Sequence, residues 1–263
     1  TNTFGAGDGG LVSVETPGKL TIGNGAVLVS ETSGSGSGGV VSLTVDDLAL
    51  TNGTITANTD GSGNSLGVLL VVRKATIGAG ALVTSASTGA GDAGIVYIGG
   101  VIASGAAAEQ VGIVDGGSVT ASATGTGAAG NVRIVTQQLD VLRGGEITTS
   151  SANANPAGAI VIDAGSLVVD GLGAADQPSR IISENVFTGT VAGGGNYGGD
   201  VIINTRGATI SNGGQLNTNS RTGNAGFIGI DFGDSGGVLR LLGNGSRGTI
   251  RTDSGTGSGG DGN

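Results

Sequence analysis

The sequence predicts an all-β chain folded as a parallel β-helix, a solenoid of short strands wound around an aliphatic interior. Three observations carry that expectation. Glycine-rich turns return at a nearly fixed interval, apolar residues alternate with polar ones between the turns, and a tight-turn dipeptide precedes the last run of each unit.

The last glycine of each rich turn falls at Gly10, Gly39, Gly67, Gly94, Gly130, Gly158, Gly199, Gly226 and Gly260, giving spacings of 29, 28, 27, 36, 28, 41, 27 and 34. Five of the eight spacings lie within one residue of 28, which sets the unit and predicts about eight coils. From Asn131 to Gly158 the contents of one unit are plain. Val132 and Ile134 flank Arg133, Leu139 and Val141 flank Asp140, and Ile147 and Thr149 flank Thr148. A period of two puts alternate side chains on one face, so each unit holds three short strands. The same offsets return as Val41 and Leu43, Leu48 and Leu50, Ile55 and Ala57, and again as Val201 and Ile203, Ala208 and Ile210, Leu216 and Thr218.

Three such strands cannot cover their own inner faces, and stacking in parallel on the next coil supplies the missing contacts. Asn52-Gly53, Gly116-Gly117, Gly144-Gly145 and Gly213-Gly214 precede the third run by the same step, where a sharp corner favours positive φ. Three coils are longer, with insertions near 99–109, 171–180 and 231–237 read as loops let out from corners. The domain expectation is one solenoid array over 1–263, uncapped at both ends. Thr1–Gly10 closes a preceding coil and Gly255–Asn263 opens a following one, so the chain reads as an excerpt of a longer array or a subunit that stacks end to end.

Composition narrows the function. Glycine fills 58 of 263 positions, yet Pro numbers three and no Gly-X-Y period exists, which excludes collagen. With no Cys there are no disulfides, no thiol chemistry and no cysteine-ligated zinc; with no His the usual general base near neutral pH is missing. A net charge of -9 and only two lysines, Lys19 and Lys74, argue against nucleic acid or an anionic membrane surface as partner. No apolar run approaches a membrane span. No cofactor is expected.

The run Gly125-Thr-Gly-Ala-Ala-Gly-Asn-Val-Arg-Ile-Val, then Leu139-Asp-Val, then Gly144-Gly-Glu-Ile-Thr-Thr-Ser, resembles the repeats of filamentous-haemagglutinin-like exoproteins, especially large cyanobacterial ones secreted by the two-partner route. The resemblance covers essentially the whole chain. It implies a right-handed helix, export through a dedicated outer-membrane partner, an extracellular or cell-surface location, and roles in adhesion or matrix building.

Four surfaces are candidates for more than scaffolding. On the outer face of the first strand, Leu70, Tyr97, Val161 and Ile202 are read as the middle outward position, with Val40, Val68, Ile95 and Phe227 at the one before. This apolar ridge packs against a lateral partner, or loops of the same chain cover it. On the outer face of the third strand, Ser30, Asn58, Ser85, Ser122, Ser150, Asn219 and Asp253 form a polar ladder beside Thr56, Thr120 and Thr148, interrupted by Leu28, Val83, Asn217 and Arg251. It reads as a solvated face or, alternatively, an ice-binding one. Asp60, Asp92, Asp200 and Asp261 sit in turns, but without the spacing of a calcium β-roll or EF-hand they read as surface groups. Asp140, Asp163 and Asp170 are the nearest approach to a catalytic carboxylate set. The expected function is a structural or adhesive element of an extracellular filament, fibre or matrix, not an enzyme, with self-association and surface glycans as partners. The alternative is a carbohydrate-binding or polysaccharide-degrading β-helix, told apart by whether those three aspartates converge.

Overall fold

The protein is described by a computed structural model at residues 1–101, 106–172, 176–189, 198–234, 236–243 and 246–255. Strands account for nearly all regular structure, and no α-helix occurs among the described residues. After β1 (Asn2–Thr3) come β2 (Leu11–Gly23) and β3 (Val27–Thr32), then β4 (Val40–Thr51) and β5 (Thr54–Thr59), then β6 (Gly67–Ile77) and β7 (Leu82–Ser87). Next are β8 (Ile95–Gly99), β9 (Ala108–Val114), β10 (Ser118–Ala123), β11 (Val132–Leu142), β12 (Glu146–Ser151), β13 (Ile160–Asp170) and β14 (Arg180–Asn185). The series closes with β15 (Val201–Thr205), β16 (Gly207–Ser211), β17 (Gln215–Ser220), β18 (Ile228–Asp231), β19 (Val238–Leu242) and β20 (Thr249–Ser254).

These strands form two large sheets in which every ladder is parallel. One runs β1-β3-β5-β7-β10-β12-β14-β17-β20; the other holds the remaining eleven. Each strand pairs with its equivalent in the neighbouring repeat, the arrangement expected of a parallel β-solenoid. The two runs predicted as separate first and second strands are one continuous strand in β2, β4, β6, β11 and β13. A bend at which one residue leaves the ladder, Asp46 in β4 and Gln137 in β11, while the register is kept on both sides explains this. Thr136 turns inward at the bend, and its hydroxyl donates to the carbonyls of Ala108 (3.2 Å) and Gln138 (3.0 Å). Only β2 slips there, where Pro17-Gly18 bulges between Thr16 and Lys19.

Registration makes the interior a set of side-chain ladders. Leu43, Leu70, Ile98, Ile134, Ile162 and Ile203 stack in one, and all six are fully buried. Ile55, Val83, Val119, Ile147, Ile181 and Leu216 stack in another under the second sheet. Beyond that position the third run is lined inside mostly with hydroxyls, with Ala57 and Ala121 standing in the same column. Ser30, Ser85, Thr149, Ser183 and Thr218 are all 0% exposed. The reason lies opposite them, where the glycine-rich turn folds back and presents carbonyls to the interior. Ser30 Oγ donates to Gly10 O at 2.8 Å, Thr149 Oγ1 to Gly158 O at 2.6 Å, and Thr218 Oγ1 to Gly226 O at 2.8 Å. A buried carbonyl without a donor costs about 1–3 kcal/mol, so these hydroxyls are required where aliphatic groups would leave it unpaired.

The turns themselves stack backbone on backbone. A Cβ built on Gly127 would lie 1.9 Å from the Gly91 carbonyl oxygen, and one on Gly91 would lie 2.0 Å from that of Gly63. Outside, turn carboxylates and amides cap the next repeat: Asp8 Oδ1 accepts from Ser37 N, Asn64 Oδ1 from Asp92 N and Asp92 Oδ1 from Ala128 N, at 2.7–2.8 Å.

Extra residues leave the ladders at four places besides a short one between β19 and β20, where Leu242 and Thr249 face the closer pair Ser211 and Gln215. Val135 and Thr136 are consecutive, but their partners are Gly99 and Ala108. Leu142 and Glu146 face Asp170 and Arg180, and Asn204 and Gly207 face Asp231 and Val238. The fourth was not foreseen. Ser151 precedes Ile160 by nine residues, while Asn185, its register partner, precedes Val201 by sixteen. Its glycines read as an ordinary turn in the sequence. Residues 102–105, 173–175, 190–197 and 235 within these segments lie outside the described set.

Two substitutions test the stacked turns. Gly127→Ala is expected to cost at least about 2 kcal/mol, because backbone must move. Gly112→Ala, whose new methyl would meet nothing nearer than 3.7 Å, should change stability by less than about 1 kcal/mol. Amide hydrogen exchange reports each locally, in β10 and β11 for the first and in β6, β9 and β11 for the second.

Candidate functional site

The outer face of the larger sheet carries the apolar ridge, with one correction. Val68 and Leu70 point inward and are core residues, 1% and 0% exposed. The outward positions in β6 belong to Leu69 and Val71. Counting from the last glycine placed Gly67 at the end of the turn, level with Gly39. In register Gly67 is instead the first strand residue, between Val40 and Ile95. A slip of one residue exchanges the two faces of a strand.

The other six named residues do face outward, in two adjacent columns. Val40, Ile95 and Phe227 stand in one, broken by Gly67, Asn131, Ala159 and Asp200; Tyr97, Val161 and Ile202 stand in the next, with Leu69 before them and Arg133 between. Ile95 and Phe227 are 42% and 48% exposed, whereas Val40, Val161 and Ile202 are half-buried. Tyr97 is only 6% exposed although it points outward. Its hydroxyl donates to Gly100 O at 3.0 Å, and burial holds its pKa above the ordinary value of 10.0. Arg133, bound to Asp163 at 2.7 Å, divides the ridge into two patches.

On the outer face of the other sheet the same slip recurs. Ser30 and Ser85 are interior, and Glu31 and Ala86 take the outward places beside Asn58, Ser122, Ser150, Asn219 and Asp253. Leu28 and Val83 are interior too, so they interrupt nothing. The outward column therefore reads Thr56, Thr84, Thr120 and Thr148 without a break. Two of its hydroxyls are already engaged: Thr120 donates to Thr84 at 2.8 Å and Thr148 to Glu146 at 2.5 Å.

The aspartates are held separately. Asp163 accepts from Arg133 and from Asn204 Nδ2 (2.6 Å); Asp140 from Gln138 Nε2 (2.7 Å) and Gln110 Nε2 (3.2 Å); Asp170 from Asn212 Nδ2 (2.6 Å) and the Ser211 hydroxyl. Asp140 lies opposite Val168, five strand positions beyond Asp163 and two before Asp170. Of the turn aspartates, Asp60 accepts from Thr88 Oγ1, Asp92 from Ala128 N and Asp200 from Phe227 N. Asp261 lies outside the described residues. Among the described residues no group of three or more carboxylates is placed to hold a metal ion.

Two grooves that sequence reasoning missed run along the outside of the bend in the larger sheet. The first, about 650 Å³, is lined by Glu15, Pro17, Asp46, Val71, Arg73 and Glu109 among others. The second, about 900 Å³, lies over Asp163, Asn204, Arg206, Asp231, Phe232 and Asp234. Ala107 and Gln137 line both, so the two meet at the segment inserted between β8 and β9. No periodic signal marks them, because they depend on where inserted residues rise beside the bend.

Charge is otherwise spent in links between repeats. Arg73 Nη2 binds Asp47 at 2.7 Å and Nη1 binds Glu109 at 3.0 Å; Arg180 binds Glu146 at 3.1 Å; Arg143 Nε and Nη2 bind Asp115 at 2.5 and 3.0 Å. Hydrogen bonding to Arg143 holds the Asp115 carboxyl below its ordinary 3.8. Compared with known families, curated proteins and solved structures, the chain matches none.

The corrected register predicts opposite outcomes at neighbouring residues. Leu70→Asp buries an unpaired carboxylate and should cost at least about 3 kcal/mol, with amide protection lost in β4, β6 and β8. Leu69→Asp, on the outside, should cost less than about 1 kcal/mol. The Asp115–Arg143 pair gives a pH signature. Because the folded pKa is depressed, its contribution is present above pH 3.8 and disappears as pH falls through the lower folded value. In Asp115→Asn the acid limb of the stability curve should flatten, as read by thermal melts between pH 2 and 6.

Proposed function

We propose that the chain is a right-handed parallel β-helix of about eight coils of about 28 residues, three short strands to a coil, and serves as a structural or adhesive element of an extracellular filament or matrix. The observation that carries this reading is the parallel stacking of equivalent strands from repeat to repeat, nine in one sheet and eleven in the other. Each repeat relies on its neighbours to cover its strand edges and its aliphatic layer, which is the architecture of a rod rather than of an enclosed pocket.

The outward ridge fits lateral contacts in the same assembly, through Val40, Leu69 and Ile95 in one patch and Val161, Ile202 and Phe227 in the other, while Tyr97 is covered by its own chain. Surface glycans are the adhesive partner, and an outer-membrane secretion partner follows from the family resemblance. We assign no catalytic role, because Asp140, Asp163 and Asp170 are each bound by different neighbours rather than turned to one substrate. The linked ladders, and the placement of Asp140 and Asp170 outside the groove over Asp163, support a scaffold over a polysaccharide-degrading enzyme.

Electron microscopy of native material tests this. Eight coils at about 4.8 Å span roughly 40 Å, so the expected image is a rod continuing well past that length. Rods that end there would overturn the proposal.

A further inference from the structure

We infer that the groove between the segment inserted after β8 and the segment inserted after β18 binds a neutral glycan, laid along the rod over consecutive repeats. The inference rests on the adhesive half of the proposed function and names its ligand and its site. Asp163, Asn204 and Asp231 stand in register on three neighbouring strands, β13, β15 and β18, at about the inter-strand spacing of 4.8 Å. The groove over them, about 900 Å³, is large enough for several sugar rings and open along its length.

Its polar groups are set and mostly unspent. Asn204 uses its amide nitrogen on Asp163, at 2.6 Å, and keeps its carbonyl oxygen for a donor. Asp231 Oδ1 accepts from Gly233 N at 2.8 Å, leaving Oδ2. Arg206, Gln137 and Asp234 line the groove with no side-chain partner among the described residues. Phe232 stands beside them as an apolar surface. Donors and acceptors thus alternate around one aromatic ring.

That mixture selects the ligand. A hydroxyl both donates and accepts, so it satisfies Asp231, Asp234, Asn204 and Arg206 alike, and the carbon face of a sugar ring covers Phe232. An anionic polymer is disfavoured, since Asp163, Asp231 and Asp234 face one uncommitted cation, Arg206, while Arg133 is held by Asp163. An extended peptide would need a free strand edge, and β13 and β15 are paired on both sides.

The test is binding of the 263-residue chain to arrayed neutral and acidic oligosaccharides, followed by calorimetry on the best neutral one. Wild type is expected to bind neutral chains of several sugars. Asn204→Ala, Arg206→Ala and Phe232→Ala should each weaken binding at least tenfold with melting curves unchanged, and Asp46→Ala in the other groove should not. Preference for acidic glycans, absence of binding to any neutral one, or equal affinity in all three variants overturns the inference. Rod length by microscopy on the same variants separates it from the filament reading, which stands or falls on that length alone.

Discussion

Everything in this protein follows from how closely the glycine-rich turns lie on one another. Neighbouring repeats pair at the spacing of a parallel sheet, about 4.8 Å, and the turns must keep that spacing while the chain doubles back. At Gly61, Gly127 and Gly158 a methyl group would lie within 2 Å of the carbonyl oxygen below. Glycine is therefore dictated by contact rather than by dihedral freedom at these sites, and more than twenty of the glycines are committed in this way before any function is considered. Bringing bare backbone inside has its own cost in unpaired carbonyls. In most repeats the third run meets it with Ser or Thr, so the core is largely aliphatic under one sheet and richer in hydrogen bonds under the other.

Much of this was legible in the sequence because stacking repeats each constraint in every unit. The inward pairs Val132 and Ile134, Leu139 and Val141, and Val201 and Ile203 fall where the alternation puts them. Failure came where one unit departs from the mean by a single residue. Gly67 looks like a turn glycine and is a strand residue, so Val68 and Leu70 exchanged places with Leu69 and Val71. Ser30 and Ser85 went astray by the same step, and polarity hid it. A buried serine that serves a turn carbonyl cannot be told from a solvated one by hydropathy. Placing it requires the position of the carbonyl, which is a long-range fact. The grooves were illegible for a similar reason, since they are bounded by residues without repeat equivalents.

The outward surface divides accordingly. Where repeats are regular, charges are consumed in holding neighbours together. Arg73 bridges Asp47 and Glu109 across three strands, and Arg143 and Arg180 each reach one repeat back. Pairs this exposed contribute little individually, up to about 1 kcal/mol, yet they favour one register over another because a slip of one residue turns each partner to the opposite face.

Where the repeat is interrupted, that logic lapses and side chains are released from duty to their neighbours. Arg206 has no carboxylate partner among the described residues, and it stands where the segment after β18 rises beside the bend. Gln137 lies beside the other inserted segment in the same position. A solenoid can vary only in such places, since a change inside a ladder is felt by the repeats on both sides. Specific recognition therefore belongs to the bend and its insertions, while the ridge of Val161, Ile202 and Phe227, built on regular strands, suits contacts that repeat along a fibre.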